Sequence, residues 1–164
     1  MSGRMHVEVY TDGSSRGNPG PGGFGSVLRY TDPAGTTHTR ELSGGYRATT
    51  NNRMELMGVI AALEALTRPC SVEVRSDSQY VVNAFNKHWV EGWESRGWKT
   101  ASKRPVKNRD LWQRLLAAIG PHQVTFVWVR GHAGDEFNER CDELATLAAD
   151  DREGLREDEG FSAG

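Results

Sequence analysis

Long apolar runs are missing from this chain. None approaches the roughly 20 consecutive apolar residues of a membrane-spanning helix, so no membrane association is expected. The first residues, Met1-Ser2-Gly3-Arg4-Met5-His6, lack the apolar segment of a secretory signal, and export is not expected. Cysteine is scarce: Cys70 and Cys141 alone, at a spacing that matches no metal or redox motif. Buried, reduced thiols in a cytoplasmic protein follow. Low-complexity and collagen-like composition is absent too, and 164 residues suffice for one domain with a proper core. The excess of positive charge that marks many nucleic-acid binders is also missing, because the formal net charge is −2.

The distribution of that charge matters more than its total. Residues 150–164 hold six acids against Arg152 and Arg156, a net −4 that leaves +2 for the rest of the chain. Between Lys87 and Arg109 there are seven Lys or Arg against Glu91 and Glu94, a local +5. Trp89, Trp93 and Trp98 lie among these cations, with few aliphatics and several glycines around them. Core packing explains some tryptophans in such a setting. The composition of the whole segment fits a protruding element that touches a nucleic-acid backbone.

Two strand ends organise the remainder. His6 to Asp12 alternates polar and apolar residues and runs into Gly13-Ser14-Ser15, and Ser71 to Asp77 repeats the device ahead of Ser78-Gln79-Tyr80. Side chains alternate faces along a strand. Parallel neighbours of this kind would deliver Asp12 and Asp77 to one sheet edge. Bare carboxylates placed together repel and raise each other's pKa, and a hard cation such as magnesium, which prefers oxygen ligands, resolves the conflict. Taken singly, each Asp is explained as a turn or cap residue.

Gly17 to Gly23 is too rich in Gly and Pro for helix and reads as turn, ahead of a strand over 24–30. A third strand over 36–46 completes an antiparallel meander. Thr49-Thr50-Asn51-Asn52 offers N-caps for a helix in which Leu56, Val59, Ile60, Leu63 and Leu66 recur at helical spacing. Glu55 is expected in the first turn, where the helix dipole favours a carboxylate by about 0.3–1 kcal/mol. A strand over 71–77, a short helix over 78–85, a helix over 110–119, an apolar strand over 123–129 and a last helix over 136–149 follow. Glycines flank His132, and Asp142 sits beside the apolar face of the last helix. The acidic tail, 150–164, is expected to be disordered. This order implies a mixed α/β sheet whose first, fourth and fifth strands run parallel through right-handed crossovers. The alternation in strands one and four implies that one sheet face is thinly covered there.

The segments TDGSSRGNPGPGGFG (11–25), TTNNRMEL (49–56), SDSQYV (76–81), the tryptophan-rich region with RGWK (96–99) and VRGHAGDEFNERCDELA (129–145) together resemble a bacterial type 1 ribonuclease H, over about residues 5–149. The resemblance implies a ribonuclease H-like five-stranded mixed sheet of order 3-2-1-4-5, strand 2 antiparallel, with flanking helices and a basic protrusion. It implies a catalytic domain over 1–149 and hydrolysis of the RNA strand of an RNA–DNA hybrid, with 5′-phosphate and 3′-hydroxyl ends. It assigns Asp12, Glu55, Asp77 and Asp142 as ligands of two magnesium ions, with manganese able to substitute, and His132 to proton transfer or product release. Asn18, Asn51, Asn52 and Gln79 correspond to groove and RNA-strand contacts, and Thr50 with Asn108 to a pocket for a DNA phosphate. Lys87, Trp89, Trp93, Trp98 and Lys99 correspond to the protrusion. A cytoplasmic monomer without an obligate protein partner is implied. Ala48 stands where relatives often carry a cation, and Glu94-Ser95 where they are often lysine-rich, which implies weaker hybrid affinity.

Three rivals compete. A binding-only module would keep the basic element but would not need four carboxylates. An aspartic protease needs two similar Asp-Thr/Ser-Gly turns, and Asp77 is followed by Ser78-Gln79. A transposase-type nuclease would share the fold and the metal chemistry, but no additional DNA-binding domain accompanies the motifs.

Overall fold

The computed structural model describes residues 5–130 and 136–161. His132 lies outside the described residues. A sheet of order β5-β4-β1-β2-β3-β6 is built from β1 (Met5–Ser15), β2 (Gly20–Thr31), β3 (Thr37–Thr49), β4 (Cys70–Ser76), β5 (Gln123–Trp128) and β6 (Leu155–Arg156). The helices are α1 (Asn51–Glu64), α2 (Gln79–Asn86), α3 (Trp89–Ser95), α4 (Arg109–Ile119) and α5 (Glu136–Asp150). β2 is antiparallel to β1 and β3, and β1, β4 and β5 are parallel. Five strands thus take the expected order. The sixth, β6, comes from the tail expected to be disordered and pairs in parallel with Gly45 and Tyr46 of β3.

The two sheet faces are covered unequally. Val7, Val9, Val72 and Val74 pack with Leu56, Ile60 and Leu63 of α1 and with Trp112 and Leu115 of α4 in the main core. The indole of Trp112 is wholly buried, and its N–H donates to the Tyr80 hydroxyl at 3.1 Å. On the opposite face Tyr10 and Val27 pack with Cys141 of α5. That face of β4 is left half-covered, and Arg75 there bridges Glu73 at 2.8 Å and Glu8 at 3.9 Å. Alternation in β1 and β4 reports this one-sided cover, as the sequence implied. Cys70 and Cys141 are buried and form no disulfide. No helix among the described residues is long and apolar enough to cross a membrane.

The glycine-rich segment differs from its expected role. Gly20, Gly22 and Gly23 belong to β2 rather than to a turn. The reason is packing: a Cβ at Gly23 would come within 2.8 Å of the Ala149 nitrogen, and one at Gly25 within 2.6 Å of the Leu144 Cβ. Bare backbone lets α5 lie directly on β2. Helix α1 starts earlier than a first-turn place for Glu55 requires. Thr50 is its N-cap, with Oγ1 accepting from the Arg53 N–H at 3.3 Å, so Glu55 falls in the second turn, beyond the reach of the dipole term that the sequence invoked.

Gly25→Ala should therefore cost about 1–3 kcal/mol by overpacking, measured by urea unfolding. Gly120→Ala, at a helix end with negative φ and only ordinary contacts, should stay within about 0.5 kcal/mol of the parent.

Candidate active site

β1 and β4 pair in parallel with Thr11 opposite Ser76, so Asp12 and the following Asp77 leave the sheet at one edge. Helix α1 is drawn against the same edge because residue 13 is glycine. A Cβ there would lie 2.8 Å from the Met54 carbonyl oxygen and would overlap the Glu55 backbone nitrogen. The outcome is that Asp12, Glu55 and Asp77 each offer an oxygen, and all three atoms lie within 4.8 Å of one another. Asp12 is 5% exposed, and its Oδ1 accepts from the Gly13 N–H at 2.9 Å. The Trp128 indole N–H donates to the Asp77 carbonyl oxygen at 3.2 Å, which ties the end of β5 to the Asp77 turn.

Burial pushes the Glu55 carboxyl well above its usual range, and the charges of Asp12 and Asp77 push it in the same direction. Its Oε2 is buried with no hydrogen-bond partner. An orphaned carboxylate oxygen beside two further carboxylates is a poor arrangement for the bare protein and a good one for a hard divalent cation, which binds oxygen donors and neutralises their repulsion. The donor set fits such an ion.

Asp142 is not part of this trio. It is exposed on α5, next to Cys141, which packs over Gly25, the register partner of Asp12. Its charge reaches Arg16, whose guanidinium is raised chiefly by its hydrogen bond and ion pair with Asp150.

The remaining candidates fall into two groups. Asn18, Thr50, Asn51, Asn52 and Asn108 line a cleft of about 710 Å³ together with Lys107, Gly160 and Phe161. Asn18 Oδ1 accepts from the Asn51 N–H at 3.0 Å, and Asn51 Oδ1 from the Ser15 N–H at 2.6 Å, so the asparagines brace the loop after β1 against the start of α1. Gln79 is exposed at the start of α2, one residue beyond its N-cap Ser78. In the basic element Lys87 and Lys99 are exposed and Trp89 is 41% exposed. Trp93 and Trp98 instead pack inward, Trp93 edge-on to Trp112 at 5.2 Å between centroids. Trp89 and Trp93 are four residues apart on α3, and of the two only Trp93 reaches the core.

Sequence reasoning missed the tail. Asp158 accepts from Nε of Arg53 at 2.7 Å and from Nη2 at 2.9 Å, while Thr49 Oγ1 donates to it at 2.7 Å. The acidic run gave no periodicity to read; the signal available was an arginine, Arg53, within the apolar helix α1 and in need of partners.

The raised Glu55 pKa has a consequence for stability. Folded, metal-free protein holds a proton on Glu55 at pH values where the unfolded chain, near 4.5, has lost it. Stability from this group therefore falls as pH rises from that value through the raised folded pKa. Glu55→Gln should raise the melting temperature of the metal-free protein near neutral pH by about 3 °C or more. Magnesium should stabilise the parent and leave the variant nearly unmoved in the same thermal scans.

Comparison with known proteins agrees with this geometry. The family model described as RNase H matches residues 4–150. A ribonuclease H of Lachnoclostridium phytofermentans is 63% identical over 147 residues, covering 89% of this chain and 93% of that protein. The ribonuclease H of Edwardsiella ictaluri is 57% identical over 158 residues, covering 96% and 97%. Among solved structures, LC9-RNase H1, a type 1 RNase H with the type 2 active-site motif, superposes with a TM-score of 0.82 at 35% identity, covering 99% of this chain and 79% of that one. With the acidic trio at the shared edge of β1 and β4 and a match along almost its whole length, the chain belongs to the ribonuclease H family.

Proposed function

We propose that this chain hydrolyses the RNA strand of RNA–DNA hybrids, leaving 5′-phosphate and 3′-hydroxyl ends, with two divalent ions, magnesium by preference and manganese in its place. The observation that carries this is the convergence of Asp12, Glu55 and Asp77 within 4.8 Å around a partnerless buried oxygen. These three residues, with Asp142 from α5, would hold the ions. Held there, such ions would supply activation of the attacking water and stabilisation of the leaving oxygen of an in-line displacement.

The chain's own groups do the rest. Gly13 and the β1–β4 register fix the carboxylates before substrate arrives, so little reorganisation is needed. His132, which precedes α5 in the sequence, moves a proton or assists product release. Asn18, Asn51, Asn52 and Gln79 offer side chains that both donate and accept, which suits the RNA 2′-hydroxyl that separates RNA from DNA. The Thr50 hydroxyl accepts from the Arg53 N–H and keeps its own proton to donate to a DNA phosphate, beside Asn108 across the cleft. Lys87 and Lys99, in no ion pair among the described residues, add affinity that falls with salt. Trp89 offers an exposed ring beside them, and Trp93 and Trp98 hold the basic element to the core. The catalytic unit spans residues 1–149, the protein acts as a monomer, and its place is the cytoplasm.

A strand-labelled assay tests this. Hybrid RNA should be cut in magnesium while duplex DNA and duplex RNA are spared; equal cutting of duplex DNA would refute the proposal. Asp12→Asn should lower activity by at least about 100-fold, the loss of several kcal/mol of charge stabilisation. Lys87→Ala and Lys99→Ala should each weaken hybrid binding and reduce the salt slope by about 1, read by anisotropy titrations at several salt concentrations.

A further inference from the structure

The cleft that holds Thr50 and Asn108 is organised by one buried cation. Arg53 is 2% exposed, and each of its five guanidinium N–H groups has an acceptor within reach. Nε and Nη2 donate to Asp158, at 2.7 and 2.9 Å. Nη1 and Nη2 donate to Asp110, at 2.9 and 2.7 Å. The remaining Nη1 proton reaches Asn108 Oδ1 at 3.3 Å. A guanidinium has five donors in a rigid fork, so this set leaves none for a ligand. Two carboxylates on one guanidinium also leave the group with net negative charge, which rules Arg53 out as the phosphate's own partner. Its part is different: its backbone N–H caps on Thr50, and its side chain orients the Asn108 amide.

That orientation is closed on the other side as well. Asn108 Nδ2 donates to the Tyr80 hydroxyl at 3.0 Å, which also receives the Trp112 indole N–H. With Oδ1 on Arg53 and one Nδ2 proton on Tyr80, the amide has its second Nδ2 proton left to offer. Asp158, only 8% exposed, is the distal end of this chain of bonds and belongs to the C-terminal segment, beyond the family match to residues 4–150. β6 docks that segment on β3, Arg47 pairs with Glu157 at 2.8 Å, and Thr49 fixes Asp158 from the strand end that leads into α1.

We propose that Asp158 is a positioning residue for hybrid binding: through Arg53 it sets the Asn108 amide and the Thr50 cap toward the DNA phosphate. This rests on the phosphate role given to Thr50 and Asn108 above. The C-terminal segment thereby tunes substrate affinity without touching substrate. In the absence of Asp158, the fork keeps Asp110 but loses two of its bonds and is free to rotate, so its Nη1 contact no longer fixes Asn108 Oδ1.

The test compares Asp158→Asn, Asn108→Ala and the double variant, each assayed below its own melting temperature. Asp158→Asn should raise KM for hybrid by about fivefold, the scale of one ordinary hydrogen bond, with kcat within about twofold. Asn108→Ala should do the same, and the double variant should match Asn108→Ala alone, because both changes break one chain of contacts. Glu157→Gln, at a residue paired with the exposed Arg47 rather than with Arg53, should leave KM unchanged. An unchanged KM in Asp158→Asn with a lowered melting temperature, or KM effects that multiply in the double variant, would overturn the inference while leaving the hydrolase assignment standing. A parent protein that leaves hybrid intact in magnesium would instead remove the functional proposal and this inference with it.

Discussion

Three carboxylates held within 4.8 Å of one another are the constraint on which the rest of this molecule depends. At an effective dielectric constant of about 20, two full charges at that distance repel by about 3 kcal/mol. Nothing in folding favours such an arrangement for its own sake. It is imposed by covalent and packing geometry: parallel register fixes Asp12 beside Asp77, and a bare glycine at 13 lets α1 bring Glu55 down onto them. Burial and the charges of Asp12 and Asp77 accordingly push the Glu55 carboxyl well above its usual range.

The stability that tolerates this cost is drawn from elsewhere. On one face α1 and α4 bury a continuous aliphatic and aromatic core against β1 and β4. On the other, glycines in β2 and β3 let α5 settle on the backbone. Charge is handled differently away from the site. Arg75 lies between Glu73 and Glu8, Arg53 between Asp110 and Asp158, and Arg140 bridges Glu41 and Glu143. In each case a guanidinium is supplied by the chain itself. Asp110 accordingly sits below the usual carboxylate range through its hydrogen bonds from Arg53, while Glu55 sits above it. Acids of the two environments serve opposite ends, scaffold and site.

Much of this was legible from residues alone. Alternation in His6–Asp12 and Ser71–Asp77 announced two matching strands, and the spacing of Leu56, Ile60 and Leu63 announced α1. The acidic trio followed from those elements and from the motifs shared with ribonuclease H. What stayed hidden has physical causes. Gly20 to Gly23 looked like turn because glycine's composition signal is the same whether a chain must bend or must admit a helix. The inward packing of Trp93 and Trp98 depends on Trp112, which is distant in sequence. β6 and Asp158 were invisible because two residues of strand, paired in parallel to a remote edge, have no local pattern; a buried arginine in α1 was the sole hint of an acid to come.

The central claim is that the trio at the sheet edge is a divalent-cation site created by enforced proximity. Crystals soaked in manganese, with anomalous diffraction recorded for the parent and for Asp77→Asn, test it most directly. The account requires a strong peak among the Asp12, Glu55 and Asp77 carboxylates in the parent and its loss or marked weakening in the variant. A peak confined to other acids, or none at saturating manganese, would contradict it.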